Sequence, residues 1–318
     1  MRILLDAMGG DNAPDAVVKG AVLAAAKTED KIALIGPKAR IYELLAAECP
    51  DGIPQNLMIF GADDVITNDD APVKAIKTKP NSTIVTGLNI LRDGLGDVFV
   101  SAGNTGALLA GGLMICGRIK GIDRPAICSW YPNLNGGVSM LVDAGANAEC
   151  KARNLLEFAF MGSVYMEKVL GRKSPKVGLA NIGAEAEKGN TIVKKAYELL
   201  SESDLNFTGN IEARDFTTGK CDIIVADGFT GNIILKLSEG IIMHMMKILA
   251  GDIPAEMALK IKKLSDYSEY GGAPILGVSR PIIKMHGSSG PKAVMNGILR
   301  AGEYARQNVV GIIADQIK

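Results

Sequence analysis

The 318-residue sequence lacks the signatures that announce most nucleotide enzymes and hydrolases. It has no G-x-x-x-x-G-K-S/T loop, which removes P-loop chemistry, and no G-x-G-x-x-G fingerprint for a dinucleotide. A G-x-S-x-G elbow is also missing, and a Ser-His-Asp hydrolase would have to draw its base from only two histidines, His244 and His286. The five cysteines, Cys49, Cys116, Cys128, Cys150 and Cys221, are scattered, with no C-x-x-C pair. They fit neither a disulfide framework nor a zinc site and read as reduced thiols of a cytoplasmic protein. No clustered aspartates mark a divalent cation, so neither metal nor cofactor is expected. Charge of one sign is lacking too: 35 Lys and Arg balance 35 Asp and Glu, which argues against nucleic acid as partner and leaves charge recognition to local patches. Residues 1–10 hold only a short apolar stretch at 3–5, far less than a signal-peptide core. The greasiest region, 241–249, is interrupted by His244 and Lys247, well short of the roughly 20 apolar residues of a membrane span.

What is present is a rhythm. Hydrophobic residues make up 47% of the chain, ample for a sizeable core. Short apolar runs at 3–5, 32–35, 57–60, 98–100, 126–130, 139–142, 177–180 and 223–226 read as strands. Longer segments of helical spacing separate them, at 14–26, 39–48, 82–92, 106–117, 151–170 and 189–202. This alternation predicts an α/β fold with a mostly parallel sheet covered by helices. The runs at 98–100 and 223–226 contain no polar residue, so both faces should be buried. Asn133, Leu134, Asn135, Gly136 and Gly137 between two β-like runs predict one β-hairpin. A long helical stretch broken at 251–254, with a second helix at 255–264, predicts a helical hairpin over about 240–266. No linker or composition break divides residues 1–318, which read as one continuous domain.

Polar chemistry collects where strands end. The run at 97–100 empties into Ser101, Ala102, Gly103, Asn104, Thr105 and Gly106, and the run at 223–226 into Asp227, Gly228, Phe229, Thr230, Gly231 and Asn232. Unpartnered N–H groups at a helix start suit an anion, although each loop also reads as an ordinary capped turn. Asp143, Gly145, Ala146 and Asn147 form a third such turn, and ligands in open α/β sheets lie beyond the carboxyl ends of strands, so the three loops are expected to converge. Lys188, beside Gly189 and Asn190, is either a phosphate-neutralising cation or a solvated lysine. Asp227 could orient that lysine, act as a base or cap the next helix, with capping favoured. Near the start, Asn12 reads as an N-cap with Pro14 in the first helical turn. His286, ahead of Gly287, Ser288, Ser289, Gly290 and Pro291, is a better functional candidate than His244 among its methionines.

These blocks follow a known order. DAMGGDNAP (6–14), SAGNTGA (101–107), DAGAN (143–147), NIGAEAEKGN (181–190), DGFTGN (227–232), YGGAPILGV (270–278) and HGSS (286–289) resemble the bacterial phosphate acyltransferase family across nearly the whole chain. Two positions depart from it: Ala213 and Arg280 stand where the family usually has glycine, which leaves the conformation of those loops open. The resemblance implies a three-layer α/β/α, isopropylmalate-dehydrogenase-like architecture and a homodimer. It implies reversible transfer of a fatty acyl group from acyl carrier protein to inorganic phosphate, giving acyl-phosphate for phosphatidic acid synthesis. It also implies a cytoplasmic protein in peripheral contact with the membrane, where a glycerol-3-phosphate acyltransferase takes the product.

Phosphate attack on a thioester requires a cradle for a dianion and donors for the developing oxyanion. Ser101, Gly103, Asn104, Thr105 and Gly106 are therefore expected to hold phosphate, with Lys188 and the adjacent Asn190 at its charge. Asn232 and Gly228 would polarise the carbonyl, supported by Asp143, Asn147, Asp227 and His286. Two basic runs, Lys168/Arg172/Lys173/Lys176 and Lys260/Lys262/Lys263, are candidate docking patches for the acidic carrier or simply solvated faces. Met245, Met246, Ile248, Leu249, Ile253, Met257 and Ile261 mark either core or dimer packing or a membrane-facing tip. A coenzyme A-dependent short-chain acyltransferase, a dehydrogenase of related fold and a non-catalytic acyl-phosphate or nucleotide sensor are the competing readings.

Overall fold

Apolar runs without alternation become strands buried on both faces, as β4 and β9 below illustrate. The computed structural model describes residues 1–249, 252–254, 256–257 and 270–317. Its strands are β1 (Arg2–Asp6), β2 (Lys31–Gly36), β3 (Leu57–Gly61), β4 (Val98–Ser101), β5 (Ala126–Pro132) and β6 (Val138–Val142), then β7 (Val177–Asn181), β8 (Phe207–Glu212), β9 (Ile223–Val225), β10 (Ala273–Leu276) and β11 (Ile282–Lys284). Every residue of β4 and β9 is buried. The chain divides into two compact units, Met1–Gly121 with Ser268–Lys318, and Ile122–Tyr267. Neither crossing carries a Pro/Gly/Ser linker or a composition shift, so nothing in the sequence flags them.

In the first unit the strands lie in the order β3-β2-β1-β4-β11-β10, parallel except where β10 runs against β11. Between them pack α1 (Asp15–Ala25), α2 (Lys38–Glu48), α3 (Pro72–Thr78), α4 (Thr83–Arg92) and α5 (Thr105–Gly111), the last prolonged by a π-helical turn at Gly112–Cys116. Strand order therefore brings the ends of β1, β4 and β11 side by side. In the second unit the order is β5-β6-β9-β7-β8, with β5 antiparallel to β6 and the rest parallel. Its helices are α6 (Ala152–Lys168), α7 (Thr191–Ser201) and α8 (Gly228–Ile248). The β5–β6 pair is the predicted hairpin, closed where Asn133 N–H donates to the Gly137 carbonyl at 3.0 Å and Asn133 Oδ1 accepts the N–H of Asn135 and Gly137.

Three strands and several helices escape the sequence pattern. β8 is a half-exposed strand interrupted by Gly209, while β10 and β11 are only four and three residues long. α3 and α10 (Val309–Gln316) have no counterpart among the expected helices, while α9 (Pro291–Arg306) begins where the His286–Pro291 segment reads as a loop entering a helix. Asn12 does not cap α1: Pro14 occupies the cap position, and the Asn12 amide instead donates to the Ser288 carbonyl at 3.1 Å. At the two departures from the family pattern, Arg280 and Ala213 both keep ordinary negative φ, since Ser174 and Asn308 are the non-glycine residues with positive φ among those described. Arg280 donates to the Arg92 carbonyl at 3.0 Å, and Ala213 opens a 3-10 turn.

The first arm of the expected helical hairpin is α8. The second arm at 255–264 and the run Lys260/Lys262/Lys263 fall outside the described residues, apart from a helical pair at 256–257. Among the described residues no helix is long and apolar enough to cross a membrane.

Candidate functional site

Each unit gathers its polar blocks at the carboxyl edge of neighbouring parallel strands. In the first unit the loops after β1, β4 and β11 are stitched together. Asp11 N–H donates to the Gly287 carbonyl at 2.8 Å, and Asn12 bridges to Ser288. Beneath them Asp6 is fully buried and accepts the Ser101 hydroxyl at 2.7 Å and the Met8 N–H at 3.1 Å. Burial pushes its carboxyl pKa up, against these hydrogen bonds.

Two residues expected to touch phosphate are used internally. Ser101 is fully buried, its hydroxyl given to Asp6 while its oxygen accepts the Gly103 N–H at 3.0 Å. Asn104 Oδ1 caps α5 by accepting the Ala107 N–H at 2.9 Å, and its Nδ2 donates to the Thr67 carbonyl at 2.8 Å. Their roles are to shape the loop. Thr105 is exposed and, with Gly106, supplies first-turn N–H groups that have no carbonyl four residues back in the helix. Asn104→Ala is expected to cost about 1 kcal/mol as a lost N-cap, more if the Thr67 carbonyl stays dry, read as a lower urea midpoint with an unchanged slope.

The same edge holds a cation that the sequence pattern did not show. Lys284 ends β11 in register with Ser101, and its Nζ donates to the Ala102 carbonyl at 3.5 Å and, more closely, to Met285. Nothing in the sequence pattern marks it, because β11 is only three residues long. His286 follows, its Nδ1 paired with the Ser288 hydroxyl at 2.8 Å and near the Ser288 N–H at 3.2 Å, so its ring is oriented by its own loop.

In the second unit the loops after β6, β9 and β7 leave adjacent strands on one edge. Asp143, fully buried, organises the first. Its Oδ1 accepts the N–H of Ile127 (3.1 Å), Gly145 (3.1 Å) and Ala146 (2.9 Å), and its Oδ2 the Asn147 N–H and Nδ2, both at 2.8 Å. Burial raises the pKa of this carboxyl and the amides oppose the rise. With both oxygens occupied, Asp143 is a scaffold and not a base. Asn147 spends its side chain on Asp143 and the Pro125 carbonyl.

The loop after β9 packs directly on this one. Gly228 N–H donates to the Asn147 carbonyl at 2.7 Å, so it is taken up within the fold and does not face a thioester. Asp227 caps α8 through Thr230, whose N–H and hydroxyl both donate to it at 2.8 Å, the favoured reading for this residue. Asn190 likewise caps α7, its Oδ1 accepting the Val193 N–H at 2.9 Å. Asn232 and Lys188 remain exposed. Asn232 faces the Asp143 loop, about 3.6 Å from where a Cβ on Gly145 would stand. Lys188 is held through its backbone, its carbonyl accepting Asn181 Nδ2 at 3.0 Å. The exposed run Lys168, Arg172, Lys173 and Lys176 leads into the amino end of β7, opposite these loops.

Comparison with known proteins agrees with the block order. The family model described as "Fatty acid synthesis protein" matches residues 1–311. A phosphate acyltransferase of Clostridioides difficile (strain 630) is 46% identical over 98% of this chain and 94% of its own length. Another, of Alkaliphilus oremlandii (strain OhILAs), is 47% identical over 100% of this chain and 97% of its own. Among solved structures, a phosphotransacetylase from Streptococcus pyogenes aligns with a TM-score of 0.66 at 18% identity, covering 95% of this chain and 94% of that one. A 4-hydroxythreonine-4-phosphate dehydrogenase from Klebsiella pneumoniae aligns at 0.56 and 13%, covering 96% and 99%. At such identities the structural likeness establishes the fold, and it agrees with the α/β architecture expected from sequence.

Proposed function

Because the chain belongs to the phosphate acyltransferase family, and is therefore an acyltransferase with phosphate as acceptor, we propose that its donor is a fatty acyl thioester of acyl carrier protein. The product is acyl-phosphate, made for phosphatidic acid synthesis. A phosphate oxygen adds to the thioester carbonyl, the tetrahedral intermediate collapses with cleavage of the C–S bond, and the carrier thiolate takes up a proton. Phosphate is already substantially dianionic near neutral pH, and a thiol of pKa about 8.5 is a competent leaving group, so neither a strong base nor a covalent enzyme intermediate is needed.

The observation that carries this reading is the pair of buried strand-end carboxyls, Asp6 and Asp143, each holding a Gly/Asn loop rigid beneath exposed donors. Rigid donors cost no reorganisation when charge develops, which is what thioester attack demands. In this reading the Thr105 and Gly106 N–H groups, with Lys284, hold phosphate. Within the second unit Lys188 and Asn232 offer a cation and an amide donor for negative charge, and within the first unit His286 supports the phosphate loop. The test is purified protein with palmitoyl carrier protein and phosphate, acyl-phosphate being trapped by hydroxylamine. Absence of phosphate-dependent thiol release sinks the reading, and turnover confined to short-chain acyl-coenzyme A replaces the donor.

A homodimer and a peripheral membrane contact complete the proposal. They are supported by a solvent-facing stripe on α8, where Phe229, Ile233, Leu237, Ile241, Met245 and Ile248 are all exposed. Leu249→Glu at the end of that helix should abolish flotation with anionic vesicles; unchanged flotation removes the membrane contact.

A further inference from the structure

Asp6 is part of a serial contact that ends on the loop after β4. Its Oδ2 accepts the Ser101 hydroxyl at 2.7 Å, and the same hydroxyl oxygen accepts the Gly103 N–H at 3.0 Å. That N–H belongs to the 102–103 peptide, whose other end is the Ala102 carbonyl that Lys284 Nζ reaches at 3.5 Å. One peptide plane is therefore held at its N–H by a buried carboxyl acting through a hydroxyl, and at its carbonyl by an ammonium. Asp6 and Ser101 are both fully buried, so neither touches substrate. The packing leaves no slack: a Cβ on Gly9 would lie 2.4 Å from Asp6 Oδ2 and 2.7 Å from the Gly103 nitrogen.

A hydroxyl has one proton and a free torsion. While Asp6 takes the proton, the Ser101 lone pair is aimed at Gly103 and the 102–103 plane is fixed. We propose that Asp6 is a positioning residue that sets phosphate affinity by fixing the 102–103 peptide through Ser101, and with it the Lys284 ammonium and the N–H groups that follow. The inference rests on the reading of this loop as the phosphate cradle.

Steady-state kinetics on Asp6→Asn, Ser101→Ala and the double variant test it, with inorganic phosphate and the acyl thioester varied separately. Each single variant should raise KM for phosphate about tenfold while KM for the thioester stays within about twofold. Because Asp6 acts through Ser101, the double variant should be no worse than the poorer single one. An unchanged phosphate KM in a folded variant overturns the proposal, as do additive effects near a hundredfold in the double variant. If Asp6→Asn does not fold, Ser101→Ala, which removes one oxygen and leaves the carboxyl in place, decides by the same KM comparison. Wild-type protein without phosphate-dependent turnover overturns the functional reading itself; normal wild-type turnover with unaffected variants overturns only the role of Asp6.

Discussion

Lys188→Ala and Asn232→Ala should each lower kcat/KM by about 10²-fold or more while leaving the thermal transition near that of the wild type. Both side chains are exposed, Lys188 on the loop after β7 and Asn232 near the start of α8 just past β9, strands that are adjacent and parallel, so their loss opens no cavity in the core. The loops under them are tied down by other residues. Asn181 holds the Lys188 carbonyl, and Asp227 caps the helix that presents Asn232. Truncation thus removes a donor or a charge and leaves the backbone in place, as required for a loss confined to turnover. A lysine is a point charge on a flexible stem, so Lys188→Arg should restore only part of the activity. Measured kinetics that match the wild type in soluble, folded variants would remove both residues from the chemistry. The contrast with Asn104→Ala is informative, since that change is expected to lower stability first.

How much of this was legible in the sequence depends on how local each feature is. The strand-end position of the Gly/Asn blocks was legible, because a strand, its loop and the next helix start lie within a dozen residues. The capping by Asp227 and Asn190 is equally local, each reaching a residue three positions on. What the side chains do at longer range was not. Ser101 reads as a phosphate ligand until Asp6, 95 residues away, takes its proton. Asn104 reads the same way until the Thr67 carbonyl, 37 residues away, takes its amide. Gly228 reads as a group that polarises the substrate carbonyl, but its N–H is taken by the Asn147 carbonyl. A buried polar group must be paired, and the pairing partner is set by strand order, which no run of sequence displays. Lys284 shows the same dependence: on a three-residue strand it has no periodicity to announce it, and only its place beside β4 brings its ammonium to the Ala102 carbonyl.

Strand order also explains why one glycine should tolerate no replacement. Gly231→Ala is expected to destabilise the second unit by about 3 kcal/mol or more and to abolish turnover with it. A Cβ there would stand 1.9 Å from the Asp143 carbonyl oxygen, and the nearest atoms are backbone, so no side chain can rotate away. The backbone it would displace is itself fixed, because Asp143 binds four main-chain N–H groups and one side-chain amide within a buried loop. Relief would therefore require either moving the first turn of α8, which costs the Asp227 cap and the Gly228–Asn147 bond, or opening the Asp143 cluster and leaving buried amides dry. Either route carries Asn232, one residue on, away from the loop it faces. Urea unfolding and kcat should fall together in Gly231→Ala, whereas Gly240→Ala on the same helix, where no atom of the described residues lies within 4 Å of the added Cβ, should change neither by more than a small amount and serves as the internal control. A Gly231→Ala protein with normal stability and normal turnover would mean that the two loops are not packed as described, and the assignment of Asn232 to the thioester carbonyl would fall with it.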